Sequence, residues 1–451
     1  MSAKKLKIHF IGIGGIGVSA LARYYLGKSA KISGSDLAAS EITESLKKLG
    51  VKIYIGSHNP KCLTPDVKQV VYSPAVLPDN SEIIAAKKLG IQCLSYPQAL
   101  GDLTKKHFTI AVAGSHGKST VAAMIGILLM KAGLDPTVIV GTKVKEFAPH
   151  QKNGGGSNCR VGKSKYLVIE ADEHFASFLN YWPKIIVLTT IEKDHLDFFK
   201  NLNNILKAFK KFVSHLPKKG IFIGNRDDKN IYSTFSTAVE NVRWYSLRNE
   251  ESEKLKKTLK IPGEFNVSNA LAALAVARIL KIPDKISFKA LSEYKGSWRR
   301  FDIKKVKINN KKLIIINDYG HHPTQVKVTL KAAREKFPKR KIWCLFQPHQ
   351  YQRTCYLWND FVKVLKKVPV DKLIITDIYE VAGREDEKIK EKINSKKLIE
   401  TINQPWAIYL PKRQIENFLK KNLQGGEVVI IMGAGDIYEI NSKLKMQNAK
   451  L

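Results

Sequence analysis

The sequence predicts an α/β protein of three domains, each built on a largely parallel sheet. Two observations carry this. Short apolar runs alternate with stretches of helical spacing along most of the 451 residues, the rhythm of βαβ units. The rhythm restarts twice, each time at a fresh strand, so that domains are expected over 1–105, 106–298 and 299–451. At about 100–200 residues per domain, a chain of this length holds two to four.

The first domain opens with "KIHFIGI" (7–13), an apolar run ending in glycines, and "VSALARYYL" follows at helical spacing. "AKISGSD" (30–36) reads as the second strand, a helix starts at Ser40, and "VKIYIG", "VKQVVYSPAV" and "IQCLSYP" continue the strands. The second domain begins "HFTIAVAGSHGKSTVAAMIGILLMKAG", a buried strand, a glycine loop and an apolar helix ending at Gly133. Its later elements are the strands "YLVIEA" (166–171) and "KIIVLTTI" (184–191) and the helix "NVSNALAALAVARIL" (266–280). "NGGGSN" (153–158) reads as a mobile loop inside this domain. After "SWRRFD" come four more strands, "KLIIINDYG", "KIWCLFQP", "KLIITDIY" and "EVVIIMGAG".

Composition excludes several classes. No apolar run approaches the roughly 18 residues that span a bilayer. The N-terminal "MSAKKLKIHFIGIGGIG" imitates a secretory leader, but its apolar part is broken by glycines and lacks a small-residue cleavage site. Five cysteines form no C-x-x-C pair, which fits a reduced, cytoplasmic enzyme without a zinc cage. The net charge of +36 invites a nucleic-acid reading. The basic residues are dispersed in short groups such as Lys207, Lys210 and Lys211, so nucleic acid is not expected as the main partner. A positive field also draws in small anionic substrates.

Two glycine motifs carry chemistry. "GIGGIG" places Gly12, Gly14, Gly15 and Gly17 between a strand and a helix, with Asp36 at the end of the next strand. That is a Rossmann-like fingerprint: small residues let a diphosphate reach the helix amides, and the acid meets a ribose. The motif does not say which nucleotide. "AGSHGKST" (113–120) resembles a phosphate loop but is too short, with Val112 where the first glycine of G-x-x-x-x-G-K-[ST] would fall. Gly114 and Gly117 free the backbone, Lys118 supplies a cation for phosphates, and Ser119 can reach Mg²⁺. The central domain is therefore expected to be P-loop ATPase-like, and the third Rossmann-like.

Carboxylates follow at strand ends, where α/β sites lie. "VIEADEHF" supplies Glu170, Asp172 and Glu173; "IEKDHLDFF" supplies Glu192, Asp194, His195 and Asp197. Hard oxygen groups suit Mg²⁺. "NDYGHHPTQ" adds Asp318, His321 and His322. "WRRF" and "QPHQYQRT" add Arg299, Arg300 and Arg353, each suited to a phosphate or carboxylate.

Read in order, these strings resemble the Mur ligases, ATP-dependent amide-forming enzymes of peptidoglycan synthesis. The resemblance runs nearly end to end through "GIGGIGVSALA", "SGSD", "AGSHGKST", "EADE", "IEKDHLD", "PGEFNVSNALAA", "GSWRRFD", "DYGHHPT", "QPHQYQRT", "DIYEVAGRE" and "GAGD". It implies a first domain that holds UDP rather than NAD, through Gly12, Gly14, Gly15, Gly17, Asp36 and Ser73. It implies a central domain that holds ATP through Gly114, Ser115, His116, Gly117, Lys118, Ser119, Thr120, Asn266 and Asn269, with Arg300 and Asp318 reaching it from the third. Mg²⁺ would fall to Ser119 and Glu170, and a second ion to His195. Tyr319, His321 and Arg353 would surround the amino acid and the transferring phosphate. Catalysis would rest on Lys118, Glu170, His195, Arg300 and Asp318.

Within the family, "GIGGIGVSALA" and "DYGHHPT" resemble the branch that adds L-alanine to the lactyl carboxylate of UDP-N-acetylmuramate, acting as a monomer or homodimer. The alternatives are the branch that recycles a murein tripeptide and, outside the family, a nicotinamide-dependent oxidoreductase. The latter leaves "GSHGKST" and "PGEFNVSN" unexplained. Five positions depart from the family pattern. His174-Phe175 stand for Ser-Asp, Phe265 for His, Asn317 for Asp, and Gln350 for Arg. The last puts one substrate contact in doubt, and with it the choice among L-alanine, L-serine and glycine.

Overall fold

A computed structural model describes residues 6–148, 155–308, 310–381 and 385–446. It is an α/β chain with three sheets. The first contains β1 Lys7–Ile11, β2 Lys31–Asp36, β3 Lys52–Ile55, β4 Gln69–Tyr72 and β5 Gln92–Ser95, ordered β3-β2-β1-β4-β5 and wholly parallel. The second contains β6 Phe108–Ala113, β7 Thr137–Val144, β8 Ser157–Arg160, β9 Tyr166–Glu170, β10 Ile185–Leu188, β11 Ile221–Asn225 and β12 Val242–Tyr245, ordered β12-β11-β10-β6-β9-β7-β8. The third contains β13 Asp302–Ile308, β14 Lys311–Asp318, β15 Ile342–Phe346, β16 Lys372–Ile375, β17 Ala407–Tyr409 and β18 Val428–Met432, ordered β13-β14-β18-β15-β16-β17.

By contact density the chain divides into two compact units. One comprises Met1–Ile191, Leu206–Ser246 and Asn269–Leu291, and so holds the first two sheets. The other comprises Glu192–Ile205, Leu247–Ser268 and Ser292–Leu451, and holds the third.

The apolar runs become buried strands because both faces are covered, as parallel sheets require. β6, β10, β15 and β18 are buried along nearly their whole length. On the third sheet, alternate residues divide between two cores. Ile314, Ile316, Cys344 and Phe346 enter one; Leu313, Ile315, Trp343 and Leu345 enter the other. Helix starts follow capping chemistry. Ser40 and Thr43 form a capping box at the helix Glu41–Lys47. Asp228 accepts from the Ile231 amide at 2.9 Å, and Asn394 from the Lys397 amide at 2.9 Å.

The sheets also hold strands that the apolar rhythm does not mark. β13, "DIKKVKI", pairs antiparallel with β14. Its lysines suit an unpaired edge, where charge discourages further strand addition. β8 pairs antiparallel with β7, so Ser157 and Asn158 of the expected loop "NGGGSN" are strand residues; Asn153 and Gly154 lie outside the described residues. Asn158 is fixed by groups far away in sequence, its amide donating to Ile16 O at 2.6 Å and Ser19 Oγ at 2.8 Å. Strand ends also come earlier than the apolar runs suggest. β1 stops at Ile11 because Gly12 turns at φ +74°. β10 stops at Leu188 because the Thr189 hydroxyl bonds back to Ala113 O and His116 O.

Candidate functional site

In the first sheet, β1 and β4 are neighbours from which the chain departs in opposite directions, the place where open α/β sheets bind ligands. The glycine turn sits there, and its amides are mostly taken. Gly12 and Ile13 donate to Ser35 O at 2.8 and 3.1 Å, and Gly15 donates to Gly12 O. Asp36 Oδ2 accepts from the Gly14 amide at 2.7 Å. The helix Ile16–Gly27 follows, with no side chain capping it, so its first-turn amides are the donors left for an anion.

The glycines answer to protein neighbours as well. A Cβ on Gly12 would meet Ser73 Cβ at 2.9 Å, and one on Gly14 would meet Asp36 Oδ2 at 2.8 Å. Asp36 thus shapes the turn. Ser73 lies beside Gly12 and donates its own amide to Ile11 O.

In the second sheet the loop after β6 occupies the corresponding crossover, with β10 on one side and β9 on the other. Ser115 donates to Thr190 O at 2.8 Å, and the His116 amide to Thr190 Oγ1 at 3.0 Å. Gly114 (φ +128°) and Gly117 (φ +85°) adopt conformations that side chains resist. A Cβ on Gly117 would also strike Asn269 Oδ1 at 2.5 Å. Asn269 is 7% exposed and Asn266 4%; both lie on the helix Glu264–Ile279, and Asn266 donates to Pro262 O.

Gly117 caps the helix Lys118–Lys131. Lys118 Nζ lies 2.7 Å from Gly114 O and 2.8 Å from Glu173 Oε2. Burial alone would lower the lysine's pKa. Glu173, Asp172 and Glu170 more than offset it and hold the ammonium above its ordinary value. Ser119 Oγ lies 2.9 and 2.8 Å from the two Glu170 oxygens, and Glu170 Oε2 also accepts from the Gly141 amide at 2.7 Å. Thr120 is buried one residue on. The loop, Lys118, Ser119, Glu170 and Asn269 are therefore one constellation. Glu173, present in the motif but given no role from sequence, is Lys118's partner.

The remaining residues belong to the other unit. Asp318 ends β14, 8% exposed. Its Oδ2 accepts from the Phe301 amide and its Oδ1 from the Gly320 amide, each at 2.8 Å. Burial raises its pKa despite these donors and the nearby Arg300. The two adjacent arginines separate. Arg299 is buried, bonded to Gly433 O and Gly435 O and sandwiched by Tyr319 and Tyr438. Arg300 keeps part of its surface, its guanidinium 4.9 Å from the Tyr319 ring. The adjacent histidines separate too. His322 caps the helix Pro323–Lys336 and faces Lys193 O at 3.1 Å.

His321, by contrast, joins a polar cluster. Its ring lies 5.3 Å from Tyr319 and 5.8 Å from His349, which stacks on Tyr379. Arg353 Nε donates to Asp194 Oδ1 at 3.0 Å; its Nη1 meets His349 Nδ1 at 3.1 Å and Gln350 Oε1 at 3.0 Å. Burial would raise Asp194, but Arg353 and then His195, His322 and His321 hold it well below the ordinary range. Burial first, and Arg353 next, depress both His321 and His349, the latter to about 3. His195 adjoins this pair at φ +50°, its amide donating to Asp194 Oδ1 at 2.8 Å. It shares a unit with Arg353, while Ser119 and Glu170 belong to the first. Sequence reading missed His349 as a member, although "QPHQYQRT" contains it.

Comparison with known proteins covers nearly the whole chain. Residues 7–108 match the model described as "Mur ligase family, catalytic domain", residues 112–277 the "Mur ligase middle domain", and residues 299–435 the "Mur ligase, glutamate ligase domain". The UDP-N-acetylmuramate--L-alanine ligase of Acetivibrio thermocellus is 39% identical, the match spanning 96% of this chain and 94% of that protein. That of Clostridium acetobutylicum is also 39% identical, over 96% of each. Among solved structures, UDP-N-acetylmuramate-alanine ligase MurC from Thermotoga maritima superposes with a TM-score of 0.80 over 99% of both chains, at 26% identity. A murein peptide ligase from Psychrobacter arcticus reaches 0.71 over 97% of this chain and 98% of its own, at 22% identity, a likeness of fold.

Proposed function

The chain belongs to the Mur ligase family, and we propose that it joins L-alanine to the lactyl carboxylate of UDP-N-acetylmuramate, converting ATP to ADP and phosphate. The observation that carries this is the match, over almost the full length, to relatives named for that reaction. The Lys118–Ser119–Glu170 constellation at the sheet crossover supports it with chemistry of the right kind. We assign residues 1–105 to UDP binding, 106–298 to ATP and 299–451 to the amino acid.

A carboxylate does not react with an amine at neutral pH, because an oxide ion is too poor a leaving group. In the proposed reaction a lactyl carboxylate oxygen attacks the γ-phosphorus of ATP, and the bond to ADP breaks. The amine of L-alanine then attacks the acyl phosphate carbonyl, and inorganic phosphate leaves. Lys118 holds the phosphates and neutralises charge as it spreads over the transferring group. Loop amides orient it, and we assign Arg300 and Asp318 to the nucleotide on the family resemblance. Tyr319, His321 and Arg353 position the amino acid, so that the reactants meet as neighbours rather than by collision.

Ser119 and Glu170 form a hard oxygen pair that fits Mg²⁺, and we assign His195 to a second ion on the family resemblance. Mg²⁺, when bound, neutralises phosphate charge. Among the described residues no helix is long and apolar enough to cross a membrane.

The test is phosphate release from ATP by purified protein given Mg²⁺, UDP-N-acetylmuramate and single amino acids. Release with L-alanine is expected. Release with murein tripeptide and none with L-alanine, L-serine or glycine would assign the chain to the recycling branch.

A further inference from the structure

Gly17 lies in the first turn of the helix Ile16–Gly27, and the space its side chain would fill is taken by Tyr96. A Cβ there would lie 2.9 Å from the phenol Cζ and 3.1 Å from Oη. Tyr96 begins the helix Tyr96–Lys106, and the Ser95–Gln98 capping box fixes that helix start from which the ring projects. The tip of the ring therefore rests on the glycine turn.

The surroundings define what the hydroxyl is for. The ring is half-buried and its hydroxyl makes no hydrogen bond to a described residue, so the oxygen is open to a partner from solution. Beside it on the turn, the helix's first amides are donors with no acceptor within the helix and no capping side chain, while the turn's carboxylate, Asp36, is engaged by the Gly14 amide. Burial first, then Glu170 and Asp172, raise the phenol's pKa, so it keeps its proton and donates. A donor converging with other donors, none of them satisfied, calls for an anionic oxygen.

We infer that Tyr96 is a substrate-binding residue whose phenolic O–H donates to a diphosphate oxygen of the nucleotide-linked sugar seated on the glycine turn. The inference rests on the nucleotide reading of that turn. It adds a specificity element: Tyr96 reads the diphosphate, not the nucleoside. Gly17 is then required because any side chain would displace the phenol.

The experiment compares wild type with Tyr96→Phe, which keeps the ring and removes only the oxygen. Full-length protein is titrated calorimetrically with UDP, uridine and ADP. A hydrogen bond to a charged oxygen corresponds to about tenfold or more in affinity. Tyr96→Phe is expected to weaken UDP by about that factor, leaving uridine, ADP and thermal stability unchanged. In turnover, KM for UDP-N-acetylmuramate rises by a similar factor while KM for ATP holds. Unchanged UDP affinity would overturn the inference, as would equal weakening of uridine and UDP. A wild-type protein that binds no UDP would overturn the nucleotide reading and this inference together.

Discussion

Lys118 Nζ sits 2.8 Å from Glu173 Oε2 and 2.7 Å from Gly114 O. In the proposed reaction the nucleotide's phosphates would have to draw Lys118 from this carboxylate. Glu173 is 2% exposed, so the pair is strong, and phosphate must compete with it. Glu173→Gln removes the competing charge. It is expected to bind ADP several-fold more tightly than wild type in calorimetry with EDTA present. Weaker ADP binding would show that Glu173 supports the nucleotide instead. Lys118→Ala is expected to lower kcat at least a hundredfold; full activity would sink the loop assignment.

Gly117 combines φ +85° with the closeness of Asn269 Oδ1. Gly117→Ala is expected to cost about 1–3 kcal/mol through backbone strain and to weaken ATP, since the loop must shift. Gly50, also at positive φ (+85°) but with open space around it, supplies the control: Gly50→Ala pays the strain and leaves ATP affinity alone. Equal loss of ATP affinity in both would remove the special role of Gly117.

Arg353 and Asp194 form a buried pair, 159 residues apart in sequence, with side chains 7% and 5% exposed. Arg353→Ala leaves a buried carboxylate uncompensated, an effect of about 3–5 kcal/mol. Adding Asp194→Asn to the same chain is expected to restore part of the loss, measured by urea denaturation. A double variant no better than Arg353→Ala would show that the two charges do not stabilise each other.

His349 has a pH consequence. Its folded-state value of about 3 lies below the ordinary value of about 6.5. Below about 6.5 the unfolded chain therefore binds the proton more readily. The stability contributed by neutral His349 is complete above that pH and declines as pH falls toward 3, by up to about 1.4 kcal/mol per unit. His321 acts in the same direction. His349→Gln is expected to lose less stability between pH 7 and pH 5 than wild type does. An equal loss would show that His349 titrates normally.

What sequence could and could not reveal follows from distance along the chain. The phosphate loop was legible because strand, loop, lysine and helix are contiguous from Phe108 to Lys131. Glu170 was legible as an acid at a strand end, and β9 does bring it to Ser119. The strands β6, β10, β15 and β18 were legible because burial on both faces makes each a continuous apolar run. β13 was not, since an edge strand rich in lysine carries no such run. Asp194's hold on Arg353 depends on chain segments far apart, and no local pattern encodes it. The adjacent pairs Arg299–Arg300 and His321–His322 look equivalent in sequence. Only the fold sends Arg299 inward to Gly433 and His322 onto a helix start. Tyr96 was invisible for the same reason: its meaning lies in Gly17, on another helix.

The central claim is that the carboxylate is activated by phosphoryl transfer before the amine attacks. The most direct measurement uses UDP-N-acetylmuramate carrying ¹⁸O in its lactyl carboxylate, with ATP, Mg²⁺ and L-alanine, and mass analysis of the released phosphate. The carboxylate oxygen that attacks phosphorus departs with it, so the account predicts one ¹⁸O in each phosphate formed. Phosphate released without the label, alongside formation of the amide, would contradict it.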